Sequence, residues 1–222
     1  MKVIAKLLAV AAAAAAFPLA SGAATWSTTN PWGQYQLGSY TIYNDVWGGG
    51  AGPQTLYVDT NSASAPHFWA WSSQSGNGIK SYPNGSKTIN KTVTSISSLH
   101  GYHNESTSYS SGTFAYDWAY DCWMPTEVMI WTNWVGGVGP WGSLYQSNVS
   151  IGGRTWNVYK PGGPWSFLAT SKYTSGTTDL AAIFKWLVNG GHLPNGTLKN
   201  CQYGVEITSG TGTWTVNSMS IY

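Results

Sequence analysis

Glu127 and Glu206 are two of only three glutamates in a chain of 222 residues. Both stand in short apolar segments, Thr126-Glu127-Val128-Met129-Ile130-Trp131 and Tyr203-Gly204-Val205-Glu206-Ile207-Thr208. A carboxylate on an apolar strand costs on the order of several kcal/mol in desolvation unless it is paired or keeps its proton. At the strand period of two, Glu127 shares a face with Met129 and Trp131, whereas Val128 and Ile130 point the other way. Glu206 likewise shares its face with Gly204 and Thr208, opposite Val205 and Ile207. Each segment therefore offers an aliphatic face for a core and a second face that carries a carboxyl. Two carboxyl groups converging on an aromatic bed are what glycosidic bond cleavage requires: one to act on the anomeric carbon, one to protonate the leaving oxygen. The same alternation would arise if each glutamate faced solvent on an edge strand.

Other candidates gather around this pair. Asp121, in Ala119-Tyr120-Asp121-Cys122-Trp123, precedes Glu127 and could hold its carboxyl by a hydrogen bond; an aspartate capping its own turn would read the same. Glu105, in His103-Asn104-Glu105-Ser106, reads as a solvated turn residue. Trp47, Trp69, Trp71 and Trp131 are candidate platforms, because the C–H face of a pyranose ring packs on an indole. His100-x-x-His103 lies in a polar stretch and reads as solvated, so no metal site is expected. Cys122 and Cys201 each lie five residues before a glutamate, an odd offset that puts both on the core face if the strands run straight; Pro125 interrupts that count for Cys122. Whether they pair is left open.

The elements that must position these groups are short segments rich in Val, Ile, Thr, Tyr and Trp, alternating with Gly, Pro, Asn and Ser clusters. That is the pattern of antiparallel strands and turns. Expected strands include 40–43, 55–58, 91–96, 113–120, 128–131, 155–159 and 213–222. One helix is expected, opened by Thr178-Asp179-Leu180 with Thr178 as its cap, its Leu180, Ile183, Phe184 and Leu187 at helical spacing, and closed by Gly190-Gly191. The result is an all-β domain with one packed helix.

Residues 1–24 resemble a secretory signal: Lys2 and Lys6, an apolar run from Leu7 to Leu19, then small residues. This predicts a secreted chain of one domain, residues 25–222. Ten basic residues less Lys2 and Lys6 leave eight against eight acidic. A formally neutral chain argues against nucleic acid or an anionic membrane as partner. Aromatics make up 15% and charged residues 8%, with 14 Trp and 14 Tyr, a composition suited to a neutral, hydroxyl-rich ligand. Five Asn-x-Ser/Thr sequons begin at Asn84, Asn90, Asn104, Asn148 and Asn195.

Tyr43-Asn44-Asp45-Val46-Trp47-Gly48, Trp69-Ala70-Trp71, Ile79-Lys80-Ser81-Tyr82-Pro83-Asn84, Ala119-Tyr120-Asp121, Glu127-Val128-Met129-Ile130-Trp131, Gly139-Pro140-Trp141-Gly142 and Tyr203-Gly204-Val205-Glu206 occur in that order. Together they resemble glycoside hydrolase family 12, the compact endo-β-1,4-glucanases and xyloglucanases. The resemblance implies a β-jelly roll of two curved antiparallel sheets with a cleft on the concave face. It implies Glu127 as nucleophile, Glu206 as acid/base and Asp121 in contact with the nucleophile. It also implies Trp47, Trp69, Trp71, Met129, Trp131 and Pro140 along a β-1,4-glucan polysaccharide, with no cofactor and a monomeric chain. Ile207 stands where many members have Pro, and the cysteines are not at the family's common N-terminal disulfide. A family 11 xylanase and a non-catalytic carbohydrate-binding protein are the alternatives.

Overall fold

The structure, a computed structural model, describes residues 26–160 and 162–222; the expected signal segment lies outside the described residues. Thirteen strands follow one another as β1 (Trp26–Thr28), β2 (Gln34–Leu37), β3 (Tyr40–Tyr43), β4 (Gln54–Val58), β5 (Phe68–Gln74), β6 (Asn84–Thr92), β7 (His100–Trp123), β8 (Glu127–Val135), β9 (Ser143–Ile151), β10 (Arg154–Lys160), β11 (Trp165–Ala169), β12 (Ser175–Asp179) and β13 (Thr197–Ile221). The helix α1 (Leu180–Asn189) lies between β12 and β13.

Two strands, β7 and β13, are each long enough to serve both layers. Their paired N- and C-terminal parts, 101–111 against 211–221, carry β5, β4 and β1 on one side and β12 on the other. Their remaining parts, 116–123 against 200–207, carry β6, β3 and β2 on one side and β8, β11, β10 and β9 on the other. The passage from layer to layer falls where Gly112 (φ 89°) and Gly210 (φ 112°) lie across from each other. Both dihedrals are reached easily only without a Cβ, and the ladder slips register there. This is the expected jelly-roll sandwich.

Alternation then sorts the side chains. Trp118, Tyr120 and Cys122 of β7, Val128 and Ile130 of β8, and Tyr203, Val205 and Ile207 of β13 are buried between the layers, and α1 adds Leu180, Ile183, Phe184 and Leu187, all without exposed surface. Full burial of such side chains contributes about 1.5–3 kcal/mol each. Cys122 and Cys201 are register partners on the core face, as their offset predicted, and both are free thiols.

Several local expectations are corrected. The helix is capped by Asp179, whose carboxylate accepts from the Ala182 N–H at 2.9 Å; Thr178 is buried and bonds the Tyr173 hydroxyl instead. The expected strand 91–96 ends at Thr92 and continues as a 3-10 turn, Val93–Ser95. His103 and Glu105 are not solvated, because the chain there is the inner-facing half of β7 rather than a turn. Among the sequons, the Asn84 side chain is buried and donates to the Tyr82 carbonyl at 2.7 Å.

Candidate active site

On the face of the second layer away from the core, β7 presents Asp117, Ala119, Asp121 and Trp123. Its register partners present Glu127, Met129 and Trp131 from β8 and Gln202, Gly204 and Glu206 from β13. Glu206 lies directly across from Asp117, Met129 from Asp121, and Glu127 from Trp123. Gly204 carries no side chain for a packing reason: a Cβ would meet the Pro83 carbonyl oxygen at 2.2 Å. Ala119, Met129, Trp131 and Leu168 form a small apolar cluster beneath the cleft.

The walls are loops. Asp45, Trp47 and the stretch 76–79 stand on one side, and 137–142 with Pro164 on the other. The cleft so enclosed measures about 1330 Å³, above the roughly 300–1,000 Å³ usual for a small-molecule pocket, and suits several rings of a polymer. Five of the eight acidic residues of the chain (Asp45, Asp117, Asp121, Glu127, Glu206) line it, with no Lys, Arg or His among the lining residues. Lys80, close by, is committed to the Gly49 and Asn77 carbonyls at 2.7 and 2.9 Å.

Carboxyls crowded without a cation must keep protons. Burial pushes Glu206 up to about 7; a hydrogen bond with Asp117 opposes the rise, and the charges of Glu127 and Asp45 add to it. Burial, then the charge of Glu206, raises Asp117 well above the usual carboxylate range. Asp121 is raised by burial and by the charges of Glu127 and Glu206. Half-buried Glu127 is raised by burial but drawn back by its hydrogen bond with Asp121. A hydrogen bond between two carboxyls needs one proton. It is shared within each pair, Asp121 with Glu127 and Asp117 with Glu206. A carboxyl drawn toward its ionised form and a carboxyl raised to about 7 thus share a surface, and Glu206 feels the charge of Glu127.

The aromatic bed differs from the expected one. Trp47 is half exposed and lines the cleft, and Met129, Trp131 and Pro140 line it too, although Trp131 is only 3% exposed and mainly packs the floor. Trp69 and Trp71 lie elsewhere. Their β5 neighbours Phe68 and Ala70 face the core, so alternation turns both tryptophans to the outer surface of the other layer. There Trp69 stacks on Tyr57 with ring centroids 5.4 Å apart. Trp123 and Trp141, at 43% and 72% exposure, are cleft aromatics not picked out from the sequence. Asp45 and Asp117 were missed as well. Asp117 and Trp123 share the parity of Asp121, but the expected strand 113–120 stopped short of Asp121 and Trp123, whereas β7 runs on to Trp123; Asp45 and Trp141 sit in loops, where parity says nothing.

Residues 38–222 match glycosyl hydrolase family 12. A xyloglucan-specific endo-beta-1,4-glucanase 1 of Phytophthora nicotianae is 32% identical over 92% of this chain and 90% of its own length. A xyloglucan-specific endo-beta-1,4-glucanase A of Emericella nidulans is 33% identical over 86% and 88%. Among solved structures, the xyloglucanase domain of NopAA, a type three effector from Sinorhizobium fredii, was determined with cellobiose. It superposes with a TM-score of 0.81 at 35% identity, covering 90% of this chain and 99% of that one. With the sandwich, the cleft and a match over most of its length, the chain belongs to glycosyl hydrolase family 12 and is a glycoside hydrolase.

Proposed function

We propose that this hydrolase is an endo-β-1,4-glucanase that cleaves xyloglucan-type or related β-glucan chains with retention at the anomeric carbon. The observation that carries the reading is the cation-free set of five cleft carboxyls, paired as Asp121 with Glu127 and Asp117 with Glu206. Glu127, as a carboxylate, attacks the anomeric carbon while Glu206 gives its proton to the departing glycosidic oxygen. A covalent glycosyl ester and a shortened chain result. Glu206, now ionised, takes a proton from water as the water oxygen attacks the anomeric carbon, and Glu127 leaves as carboxylate. Asp121 holds Glu127 in line and stabilises its charge before attack. Asp117 orients Glu206. Trp47, Trp123 and Trp141 offer exposed ring faces to neighbouring sugars.

The curated relatives named above act on xyloglucan, and the cleft rim has room for a branched chain. Gly49, Gly137 and Gly139 border open space, with nothing within 4 Å of where a Cβ would stand. The family 12 match displaces the family 11 xylanase alternative. We also assign residues 1–24 to an export signal and the remainder to a single secreted domain acting as a monomer, which N-terminal sequencing of the exported protein and light scattering would check. No helix among the described residues is long and apolar enough to cross a membrane.

The test is reducing-sugar release from xyloglucan, mixed-linkage glucan, carboxymethyl cellulose and xylan by wild type, Glu127→Gln and Glu206→Gln. Proton NMR of the first anomer released accompanies it. The expected result is β-product from wild type, with loss of polymer hydrolysis in both folded variants by a factor of about 10²–10⁴ for the acid/base change. An α-anomer would refute retention. Glucan binding without hydrolysis by wild type would leave a binding protein.

A further inference from the structure

Asp45 has no counterpart in the two-glutamate chemistry, yet it stands at the site. A chain of backbone pairings sets it there. Val46 bridges Ser81, and Ser81 bridges Ile207, the residue after Glu206; the Tyr82 N–H donates to the Asp45 carbonyl at 2.9 Å. Asp45 itself is held at φ 47°, a left-handed conformation that Asp and Asn tolerate better than other side-chain-bearing residues. Glu206 is thus faced by Asp117 from β7 on one side and by Asp45 from the loop after β3 on the other. Asp121 of β7, Glu127 of β8 and the Tyr82 hydroxyl complete the titratable groups around the cleft, and Lys80 is turned to backbone carbonyls. Among the described residues, none donates a hydrogen bond to the Asp45 carboxylate.

We propose that Asp45 is the third carboxyl of the Glu206 site, a positioning residue whose negative charge keeps the proton on Glu206 and so extends general-acid catalysis to higher pH. The inference rests on the acid/base role given to Glu206 above, although its central readout does not. The neighbouring carboxyls divide the work. The hydrogen bond with Asp117 opposes the rise of Glu206 and so favours its ionised form. Asp45 does the opposite. Burial lifts it to about 6 and Glu206 to about 7. Wherever Asp45 is ionised, its charge disfavours ionisation of the neighbouring Glu206.

Because the chain has three glutamates, protein labelled with ¹³C at the glutamate carboxyl gives three titrating signals, assigned by Glu105→Gln, Glu127→Gln and Glu206→Gln. Asn accepts the same left-handed conformation, so Asp45→Asn keeps the loop. Asp45→Asn is expected to lower the Glu206 midpoint by roughly half to one pH unit, the scale of one neighbouring charge at a partly wet site. The Glu105 signal should stay in place, and the alkaline limb of kcat/KM should move down with Glu206. A Glu206 midpoint unmoved by Asp45→Asn overturns the proposal. So does a higher KM with the alkaline limb unmoved, which would make Asp45 only an acceptor for a sugar hydroxyl. A midpoint that moves in a protein inactive on every glucan would support the carboxyl assignment and sink the endo-β-1,4-glucanase reading instead.

Discussion

Glu105, the one glutamate outside the cleft, gives a quantitative prediction about stability. It is 5% exposed between the two layers. The Tyr203 hydroxyl donates to one of its oxygens, and the Asn133 amide donates to the other at 2.9 Å. Burial still pushes it up to about 8 from an ordinary 4.5, against the pull of both bonds. The folded protein therefore holds this proton where the unfolded chain releases it. The stability tied to it is complete below pH 4.5, falls as pH rises toward 8, and is gone above that. Each pH unit inside the window changes it by about 1.4 kcal/mol, so the whole span is worth on the order of 3–5 kcal/mol. His103, stacked on Tyr203 with centroids 4.4 Å apart, acts in the opposite sense. Burial holds it down to about 3, so its contribution is present above pH 6.5 and is lost as pH falls. Glu105→Gln mimics the protonated acid: its amide can donate to Tyr203 and its oxygen accept from Asn133. Urea unfolding of wild type and Glu105→Gln at pH 5 and pH 9 isolates the glutamate, since the His103 contribution is common to both and cancels. The variant should match wild type at pH 5 and exceed it by a few kcal/mol at pH 9. A difference between the two proteins that does not change with pH would refute the buried neutral carboxyl.

Two further substitutions probe the cleft and its floor. Trp141→Ala should raise KM on the polymer by about 2- to 10-fold, the value of one stacked ring at about 0.5–1.5 kcal/mol, whereas Trp69→Ala, on the outer surface, should leave KM unchanged; equal effects in steady-state kinetics would contradict the placement of the two rings. Gly204→Ala forces a methyl onto the Pro83 carbonyl oxygen and should destabilise by about 1–3 kcal/mol, visible as a lower Tm; an unchanged Tm would mean that the β6–β13 contact is looser than the geometry requires.

What could be read from the sequence and what could not divide along a physical line. Alternation is local, so it was enough to put Glu127, Met129 and Trp131 on one face and Val128 and Ile130 on the other, and likewise Glu206 against Val205 and Ile207. The jelly roll followed from the family resemblance, and the helix from its apolar spacing. Parity does not say which face of a strand is the core when both carry aromatics. Trp69 and Trp71 were misplaced for that reason: nothing within residues 68–74 announces that Phe68 and Ala70 point inward. Glu105 failed differently. Its stretch of Asn, Glu and Ser looks like a turn, and the groups that make its burial tolerable, Asn133 and Tyr203, are supplied by β8 and β13, far along the chain.

The charge inventory carries the argument one step further than any motif. A chain with eight acidic residues places five in one cleft. Asp59 and Asp179 are left to local work, a 3.8 Å approach to His67 Nδ1 and the helix cap. Had the cleft been filled with carboxylates alone, their repulsion would have been paid by the whole fold. Instead burial raises both aspartates, and a proton shared within each Asp–Glu pair turns repulsion into a hydrogen bond. The two sides are not equivalent. Glu127 is only partly buried and has Asp121 as its partner, which favours the ionised form. Glu206 is almost fully buried and also feels the charge of Asp45, which favours the proton. On the mechanism proposed above, the difference between nucleophile and acid on this surface is set by depth and by the third carboxyl, not by the identity of two residues that are both glutamate.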